Sequence, residues 1–547
     1  MQAGKKGAEK KDAESLDELS RFLTPGSVGF YNFFEVTEIV AFVNGAREPV
    51  NVFTIAVAEE ISQEASTQAR FLNTDRIELP SLKDWKFGVV RYCRPISELE
   101  GFLADITSRQ VWRASGNDLK IGSMTALPSK HVPADGLNHV PLNRVLKNNF
   151  WNGSHVLEWT DPNKELLRPF FDDPSRLQEL SEQVKPYAPI SIGALSDRLG
   201  NIVVQFPVTV MTAKFRATRL SNGLTLQIGW HPKATQRDLM VTCERNSDGF
   251  TSAFTSVKAT GPETIVPLAS SEGHYRATIW EPSTGALLAA TGEFDYIEAI
   301  PFNMHIASNQ TRTFMLRDGS GQETEQRVGV ITHQAKMVGT PYVDPNGGFT
   351  QGRLYNEEIS GLVAQRRFVQ YAKDESAAQA DRERALADIR HLINLHSEAG
   401  AWLWDPYLSA ADILETLFYC HWRNADLRAL TASAEPPRDK GSEKPTEDFV
   451  IRQRRIFSDA RSNLEGLRLE FRQKYGQYGS GFHDRFLIFP RTLNRPTLAW
   501  SLGTSVNGVG KEHHILQQVD HGQAIMDAFL ELWNQLTEPE HLIWRSR

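Results

Sequence analysis

Two side chains that can act together on a phosphate lie two residues apart near the C-terminal end of the sequence. They are His483 and Arg485, in the segment GFHDRFLIFPR. The apolar residues predict a strand over FHDRFLIF, which puts His483 and Arg485 on one face and Asp484 on the other. A histidine can attack a phosphodiester and hold the phosphoryl group covalently, so that one difficult step becomes two. The arginine fork can bind two phosphate oxygens at once.

A later polar element, GTSVNG, completes a pattern known from one enzyme family. Phospholipase D-like enzymes share a strand motif of HxK, four residues and Asp, followed by GSxN or a relaxed form of it. The last quarter of this chain resembles that family through GFHDRFLIFPR and GTSVNG. The stretches DPYLSAADI and VGKEHHIL also look like divergent bacterial members, and the predicted order of strands and helices is similar.

The resemblance implies a metal-independent phosphodiesterase, most simply a nuclease, that needs no cofactor. His483 would be the nucleophile and Arg485, at the position of the family's lysine, the phosphate clamp. Ser505 and Asn507 would be supporting donors, and Gly503, Ser505 and Lys511 would also contact the phosphate. Glycines at 503 and 508 let the backbone approach closely. Only one motif is present, so a homodimer through this domain would supply the second histidine, as the acid for the leaving group.

Two departures from the family motif leave an alternative open. Arg485 replaces the lysine, and Pro490 stands where the family has its aspartate. The alternative is therefore a catalytically degenerate module that binds phosphates of nucleic acid or lipid without cleaving them. Large bacterial proteins with such a C-terminal domain resemble effectors of antiviral defence, an analogy from architecture alone. A third hypothesis is a scaffold that binds a partner protein through a central β-sandwich.

Other histidine patterns in the chain predict no site. The HxK-x4-D spacing recurs in WHPKATQRDLM, but polar spacer residues and no following GSxN element favour coincidence. His274 and Arg276, in HYR, begin a predicted strand. His513 and His514, in KEHH, flank the candidate site. His391 and His396 lie five residues apart on a predicted helix. We find no nucleotide-binding or zinc-binding motif. The residues concerned are His231, Lys233, Asp238, His274, Arg276, His391, His396, His513 and His514.

Composition and length indicate a multidomain intracellular protein. The 547 residues are 40% hydrophobic and 23% charged, with a net charge of −7, which argues against global disorder. The three cysteines are isolated, and no run of 18 apolar residues predicts a membrane span. We therefore expect a cytoplasmic protein without membrane insertion.

Patterning along the chain predicts an N-terminal α+β domain, a central Ig-like β-sandwich and a C-terminal α/β phospholipase D-like domain. The predicted boundaries are a disordered tail at 1–14, the α+β domain at 15–200 and the β-sandwich at 201–300. A connecting loop and helical region at 301–398 precedes the phospholipase D-like domain at 399–547. Short β-rich runs between turn signals carry the sandwich prediction. Within the connecting region, 339–353 is predicted as a loop and 374–396 as a helix whose apolar stripe ends at Leu395.

A basic segment in the C-terminal domain favours a polyanionic partner such as nucleic acid. Between Ile451 and Arg495 there are ten lysines or arginines and four acids. In a chain that is acidic as a whole, this excess predicts a polyanion-facing surface. A solvated helix face is the alternative.

Overall fold

The computed structural model is a mixed α/β, multidomain protein with several sheets. It divides into two compact units, Met1–Val343 and Asp344–Arg547. The structure describes residues 18–62, 66–147, 150–217, 223–269, 273–296, 299–317, 322–339, 346–371, 378–432, 448–474, 482–492 and 495–546. The predicted tail at 1–14 lies outside these ranges.

The first unit opens with a large mixed sheet. Its ten strands include a central path in the order β3-β5-β1-β2-β10-β9-β8. Apolar residues are buried on both faces of this sheet, in two separate cores. Its elements are α1 (18–23), β1 (Phe33–Val43), β2 (Val50–Glu59), β3 (Arg70–Phe71), β4 (Ile77–Glu78), β5 (Trp85–Pro95), α2 (Leu99–Arg109), β6 (Val111–Trp112), β7 (Leu119–Lys120), β8 (Thr125–Val132), β9 (Ser154–Thr160), α3 (Arg168–Asp172), α4 (Pro174–Val184) and β10 (Ile202–Pro207).

Two smaller antiparallel sheets follow, in the orders β11-β12-β15 and β14-β13-β16-β17. Their inward residues share one hydrophobic core with the first sheet. Strand β10, which begins just after the predicted boundary at 200, is paired into the first sheet. The strands are β11 (Met211–Ala217), β12 (Gly223–Trp230), β13 (Met240–Ser247), β14 (Phe250–Lys258), β15 (Glu263–Pro267), β16 (His274–Glu281) and β17 (Ala286–Ala290).

The predicted connecting region differs most from expectation. It contains a long antiparallel hairpin, β18 (Ala299–Arg317) and β19 (Glu323–Gly339). Helix α5 (Gly347–Ala364) starts inside the stretch predicted as a loop at 339–353. Hairpin residues 312–316 and 322–328 are exposed, so the inside–outside alternation that marks a half-buried strand is missing from them.

The second unit is a three-layer sandwich around an eight-stranded sheet. Its order is β20-β26-β25-β24-β21-β22-β23-β27, in which β21, β22 and β23 run parallel and the other neighbours antiparallel. One face carries a core with residues of α6, α7 and α8, and the other is covered by α9. The elements are β20 (Phe368–Tyr371), α6 (Ala378–His396), β21 (Gly400–Trp404), α7 (Ala410–Glu415), β22 (Asp426–Thr431), α8 (Phe449–Asp459), β23 (Arg468–Gln473), β24 (Phe486–Phe489), β25 (Leu498–Ser501), β26 (His514–Val519), α9 (Gly522–Gln535) and β27 (Leu542–Arg545).

Several local predictions for this unit can be compared with the structure. The predicted cap of α7 is present: the Ser409 hydroxyl accepts from the Asp412 amide while the Asp412 carboxylate accepts from Ser409, which completes a capping box. The stripe of α6 is buried from Leu386 to Ile393, but Leu395 is 59% exposed. Leu395 was wrongly included, because two residues beyond Ile393 a helix has turned about 200°.

The three cysteines, Cys93, Cys243 and Cys420, are free thiols that are buried or half-buried. Helices long and apolar enough to cross a membrane do not occur among the described residues.

Candidate active site

Three separate segments of the second unit meet at one end of β24. In the sheet, Phe486 at the start of β24 lies opposite Trp404 of β21 and Ser501 of β25. Arg485 therefore lies between Asp405, just after β21, and the segment that begins at Leu502. The Leu502 amide donates to the Arg485 carbonyl oxygen at 3.0 Å, so the polar residues flanking these strands are gathered into one cluster.

Asp405 is the buried acid of this cluster. Its side chain is inaccessible to solvent, and its two oxygens accept from the amides of Tyr407 at 2.9 Å and Val506 at 2.8 Å. Burial raises the pKa of Asp405, while these amides, a hydrogen bond with Ser505 and the charge of Arg485 act in the opposite direction. Asp405 thus connects the end of β21 to the turn that carries Ser505.

Arg485 is held at one end and open at the other. Its Nε donates to the Ser505 Oγ at 3.1 Å, and its guanidinium carbon lies 5.7 Å from the centre of the Tyr407 ring. The two terminal guanidinium nitrogens make no hydrogen bond to any described residue. Ser505 is 5% exposed, so a buried chain from Arg485 through Ser505 to Asp405 fixes the guanidinium from behind. Two parallel donors remain for an anion.

His483 lies just outside this chain of hydrogen bonds. The preceding Phe482 is buried and packs on Trp404 at a ring distance of 5.6 Å, whereas His483 itself is exposed. It forms no hydrogen bond or ion pair within the described part of the chain. Strand β24 begins only at Phe486, so the predicted strand over FHDRFLIF was too long at its start. His483 and Arg485 are therefore not placed on a common face by strand alternation.

Ser505 and Asn507 lie on a short turn whose geometry is fixed by backbone contacts. A single 3-10 turn spans Val506–Gly508, and the Gly508 amide donates to the Ser505 carbonyl oxygen at 2.7 Å. Asn507 is half-buried, and its side chain makes no hydrogen bond within the described residues. Lys511 follows the turn and is exposed. The structure thus joins Ser505 to Arg485 by a hydrogen bond, whereas the side chains of Asn507 and Lys511 form no hydrogen bond with Arg485 or Ser505 among the described residues.

Arg382 of α6 supports this turn from the opposite side. Its guanidinium donates to the carbonyl oxygens of Val506 and Val509 and pairs with Glu415 at 2.6 Å. The arginine is 15% exposed. A helix and the sheet therefore both bind the 506–509 backbone, through Arg382 and Asp405. These contacts fix the position of the adjacent Ser505.

The two glycines of the turn have different roles. Gly503 has φ +68°, and a Cβ there would lie 2.6 Å from the Ile515 carbonyl oxygen. The nearest neighbour of a Cβ at Gly508 would be the Thr504 hydroxyl at 3.0 Å, with no left-handed backbone. Gly503 is therefore required for close contact with β26, and the need for glycine at Gly508 is much weaker.

Alanine at Gly503 is expected to lower the free energy of unfolding by about 2–3 kcal/mol, because it adds left-handed strain to a backbone clash. The matched Gly508→Ala variant should change it by less than about 1 kcal/mol. Urea unfolding of both variants measures the difference. Equal losses would show that the turn tolerates a side chain at Gly503.

The family's aspartate has no equivalent at its expected position. Pro490 follows β24 directly, and its carbonyl oxygen accepts from Arg495 at 3.1 Å. Asp484 is exposed and forms no contact with a described cation. The buried acid of the cluster is Asp405, which the sequence analysis did not single out and which follows a different strand, β21. A signal was present in WLWDPY, because an aspartate directly after a fully apolar strand must lie at a sheet end.

The other histidines named in the sequence analysis have structural partners or are exposed. His231 and Lys233 both pair with Glu60, at 3.0 and 2.6 Å, whereas Asp238 pairs with Lys258. His274 pairs with Asp295, and Arg276 lies 3.9 Å from Glu244.

His514 is buried and stacks on Tyr371 at 4.9 Å, and burial lowers its pKa. His396 stacks on Trp500, and burial lowers its pKa to about 4. His391 and His513 are exposed.

No group of three or more His, Cys, Asp or Glu side chains is placed to hold a metal ion in the part of the chain that the structure describes.

Part of the basic segment at 451–495 is used inside the fold. Arg454, Arg472 and Arg495 donate to backbone carbonyl oxygens at distances between 2.7 and 3.3 Å. Arg485 belongs to the candidate site. The basic residues of this segment are therefore not all part of one solvated surface. Each arginine has to be considered separately as a possible contact for a ligand.

Comparison of the chain with protein-family models, with curated proteins and with solved structures found no match. The resemblance to phospholipase D-like enzymes therefore depends on the motifs and their surroundings in this chain.

Proposed function

We propose that the second unit is a phospholipase D-like, metal-independent phosphodiesterase that acts on nucleic acid. The observation that carries the proposal is the Arg485 guanidinium. Ser505 and the buried Asp405 hold it from one side, and two donors remain for phosphate. His483, two residues earlier in the chain and exposed, would be the nucleophile.

In the proposed reaction a ring nitrogen of His483 attacks the phosphorus atom. A bond forms between nitrogen and phosphorus, and the bond from phosphorus to the leaving oxygen breaks. His483 of a second copy donates the proton to that oxygen. Water then attacks phosphorus, displaces His483 and gives its proton to the second histidine. Arg485 stabilises the charge on the non-bridging oxygens throughout. This route requires a homodimer through the second unit.

A second candidate function is phosphate binding without turnover, and the environment of His483 favours it. In the described residues no acid is placed to orient the ring, since Pro490 occupies the family's aspartate position. A nucleophile whose base or orienting group is missing reacts slowly. The Arg485 clamp would bind phosphates equally well in such a module.

The two smaller antiparallel sheets of the first unit, whose inward residues belong to one hydrophobic core, support a further part of the proposal. We infer that they form an Ig-like sandwich and serve as a recognition surface for a partner protein. A role of the whole chain in bacterial antiviral defence remains an analogy from its architecture.

Cleavage of labelled single- and double-stranded DNA and RNA in EDTA tests the enzyme against the binding module. We expect the full-length protein to cleave at least one of these substrates without metal. Light scattering on the same sample should give the mass of a dimer. Binding without cleavage would support the degenerate module, and a strictly monomeric protein that still cleaves would exclude the two-histidine route.

A further inference from the structure

A second cluster of arginines lies away from the candidate active site, on the face of the second sheet that α9 covers. It lines a cleft of about 470 Å³ that is formed by the first residues of β22, by β23 and by the end of β27. The cleft is charged rather than apolar. Its ionisable residues are Arg428, Arg468, Arg472, Arg545, Asp426 and Glu470.

Sheet register explains why these side chains meet. Trp402, Arg428 and Glu470 are direct neighbours across β21, β22 and β23, and they therefore point to the same face. Trp402 is buried with Phe529 of α9 in the core of this face. On this same face Arg428 and Glu470 line the cleft, so charged residues occupy positions next to the buried Trp402 where further core residues would otherwise be expected.

The charges in the cleft do not balance. Arg428 pairs with Asp426 at 2.9 Å, while Glu470 accepts from both Arg472 and Arg545. Arg468 is exposed and has no partner among the described residues. Four arginines against two carboxylates leave a net charge of +2, which is complementary to a phosphate group.

The arginines at the base of the cleft are held in place before any ligand binds. Arg472 donates to the carbonyl oxygens of Trp533 and Leu536 at 3.0 and 2.8 Å. The Trp533 ring lies 4.3 Å from the Arg472 guanidinium carbon and 5.4 Å from that of Arg428. Arg428 also lies 4.4 Å from the Trp402 ring, whose buried indole N–H finds no hydrogen-bond acceptor among the described residues. Such preorganisation reduces the entropy lost on binding.

We propose that this arginine cleft binds a phosphate group of a nucleic-acid strand, at a site separate from the candidate catalytic cluster. Arg428 pairs with Trp402 of β21, and Trp402 lies three residues before Asp405 of the candidate catalytic cluster. The two sites therefore belong to different parts of the same sheet. Guanidinium forks match phosphate oxygens in geometry and charge. The inference does not require that His483 be active, because a binding module would use the same cleft.

The test is binding of a fluorescent oligonucleotide of 20 nucleotides by the full-length protein in a His483→Ala background, which prevents cleavage. Arg468→Glu is expected to raise the Kd at least about 10-fold and to reduce the salt slope by about one. Arg545→Ala should raise the Kd about 3-fold or more. Arg461→Glu is the matched control. Arg461 is exposed and lies outside the cleft, and its substitution makes the same change of charge. The Kd of this variant for the oligonucleotide should therefore change less than 2-fold.

Inorganic pyrophosphate serves as a second probe that distinguishes the source of the phosphate. Competition by pyrophosphate that is lost in Arg468→Glu supports a phosphate site in the cleft. If pyrophosphate binds in an Arg468-dependent way but the oligonucleotide does not, the nucleic-acid source is overturned and a free phosphate compound takes its place. Equal oligonucleotide affinities for Arg468→Glu and Arg461→Glu, with no pyrophosphate binding, overturn the whole inference. A failure of metal-free cleavage alone affects only the proposed catalytic function.

Discussion

Replacing His483 with alanine is expected to lower the rate of metal-free phosphodiester cleavage by about 1,000-fold or more. The variant has no nucleophile to form the covalent intermediate, so it loses the step that defines the route. Because His483 is exposed and forms no hydrogen bond or ion pair within the described residues, the free energy of unfolding should stay within about 0.5 kcal/mol of the wild-type value. Single-turnover cleavage in EDTA, with urea unfolding of the same preparations, measures both quantities.

His513→Ala is the control for that experiment. His513 is also exposed and lies close to the candidate site in sequence, so its removal should change the rate less than about 2-fold. Similar rates for His483→Ala and the wild type would exclude His483 as the nucleophile.

Mixing the two proteins also tests the dimer. If each reaction uses one histidine from each copy, an excess of His483→Ala should suppress wild-type activity after subunit exchange. Unchanged activity in the mixture would mean that each copy acts alone.

Replacing Asp405 with alanine is expected to lower the free energy of unfolding by about 3–5 kcal/mol and to abolish cleavage. The substitution leaves the buried amide of Val506 without its acceptor, and a buried donor without a partner costs about 1–3 kcal/mol. Loss of the carboxylate also removes the compensation for the half-buried charge of Arg485. Urea unfolding and the EDTA cleavage assay report the two effects.

Asp484→Ala provides a matched comparison within the same segment of the fold. Asp484 is exposed and has no cationic partner among the described residues, so its removal should cost less than about 0.5 kcal/mol. An Asp405→Ala protein as stable as Asp484→Ala would show that the hydrogen bonds of Asp405 contribute little. Cleavage activity retained in a stable Asp405→Ala variant would show that Arg485 does not need the buried acid for its role in cleavage.

Local patterns allowed much of the second unit to be predicted. The capping box at Ser409 and the buried stripe from Leu386 to Ile393 follow from interactions between residues three or four positions apart, which the sequence displays directly. Errors arose where the neighbours are distant. Leu395 continued an apolar run, although the helix had turned it towards solvent. The prediction extended β24 back to Phe482 because an apolar residue recurs there, but Phe482 packs on Trp404 and the strand begins only at Phe486.

The sequence by itself displayed a histidine, an arginine and a serine–asparagine segment, in an order that predicts a phospholipase D-like phosphodiesterase. Only the tertiary structure decided which of these groups meet. Arg485 donates directly to Ser505, and Ser505 links it to Asp405, a residue 80 positions before Arg485, because β24 pairs with both β21 and β25. The arginine cleft was likewise hidden, since its members come from three strands whose register sets their common face. Side-chain spacing within a segment is encoded locally, whereas contacts between segments depend on strand pairing.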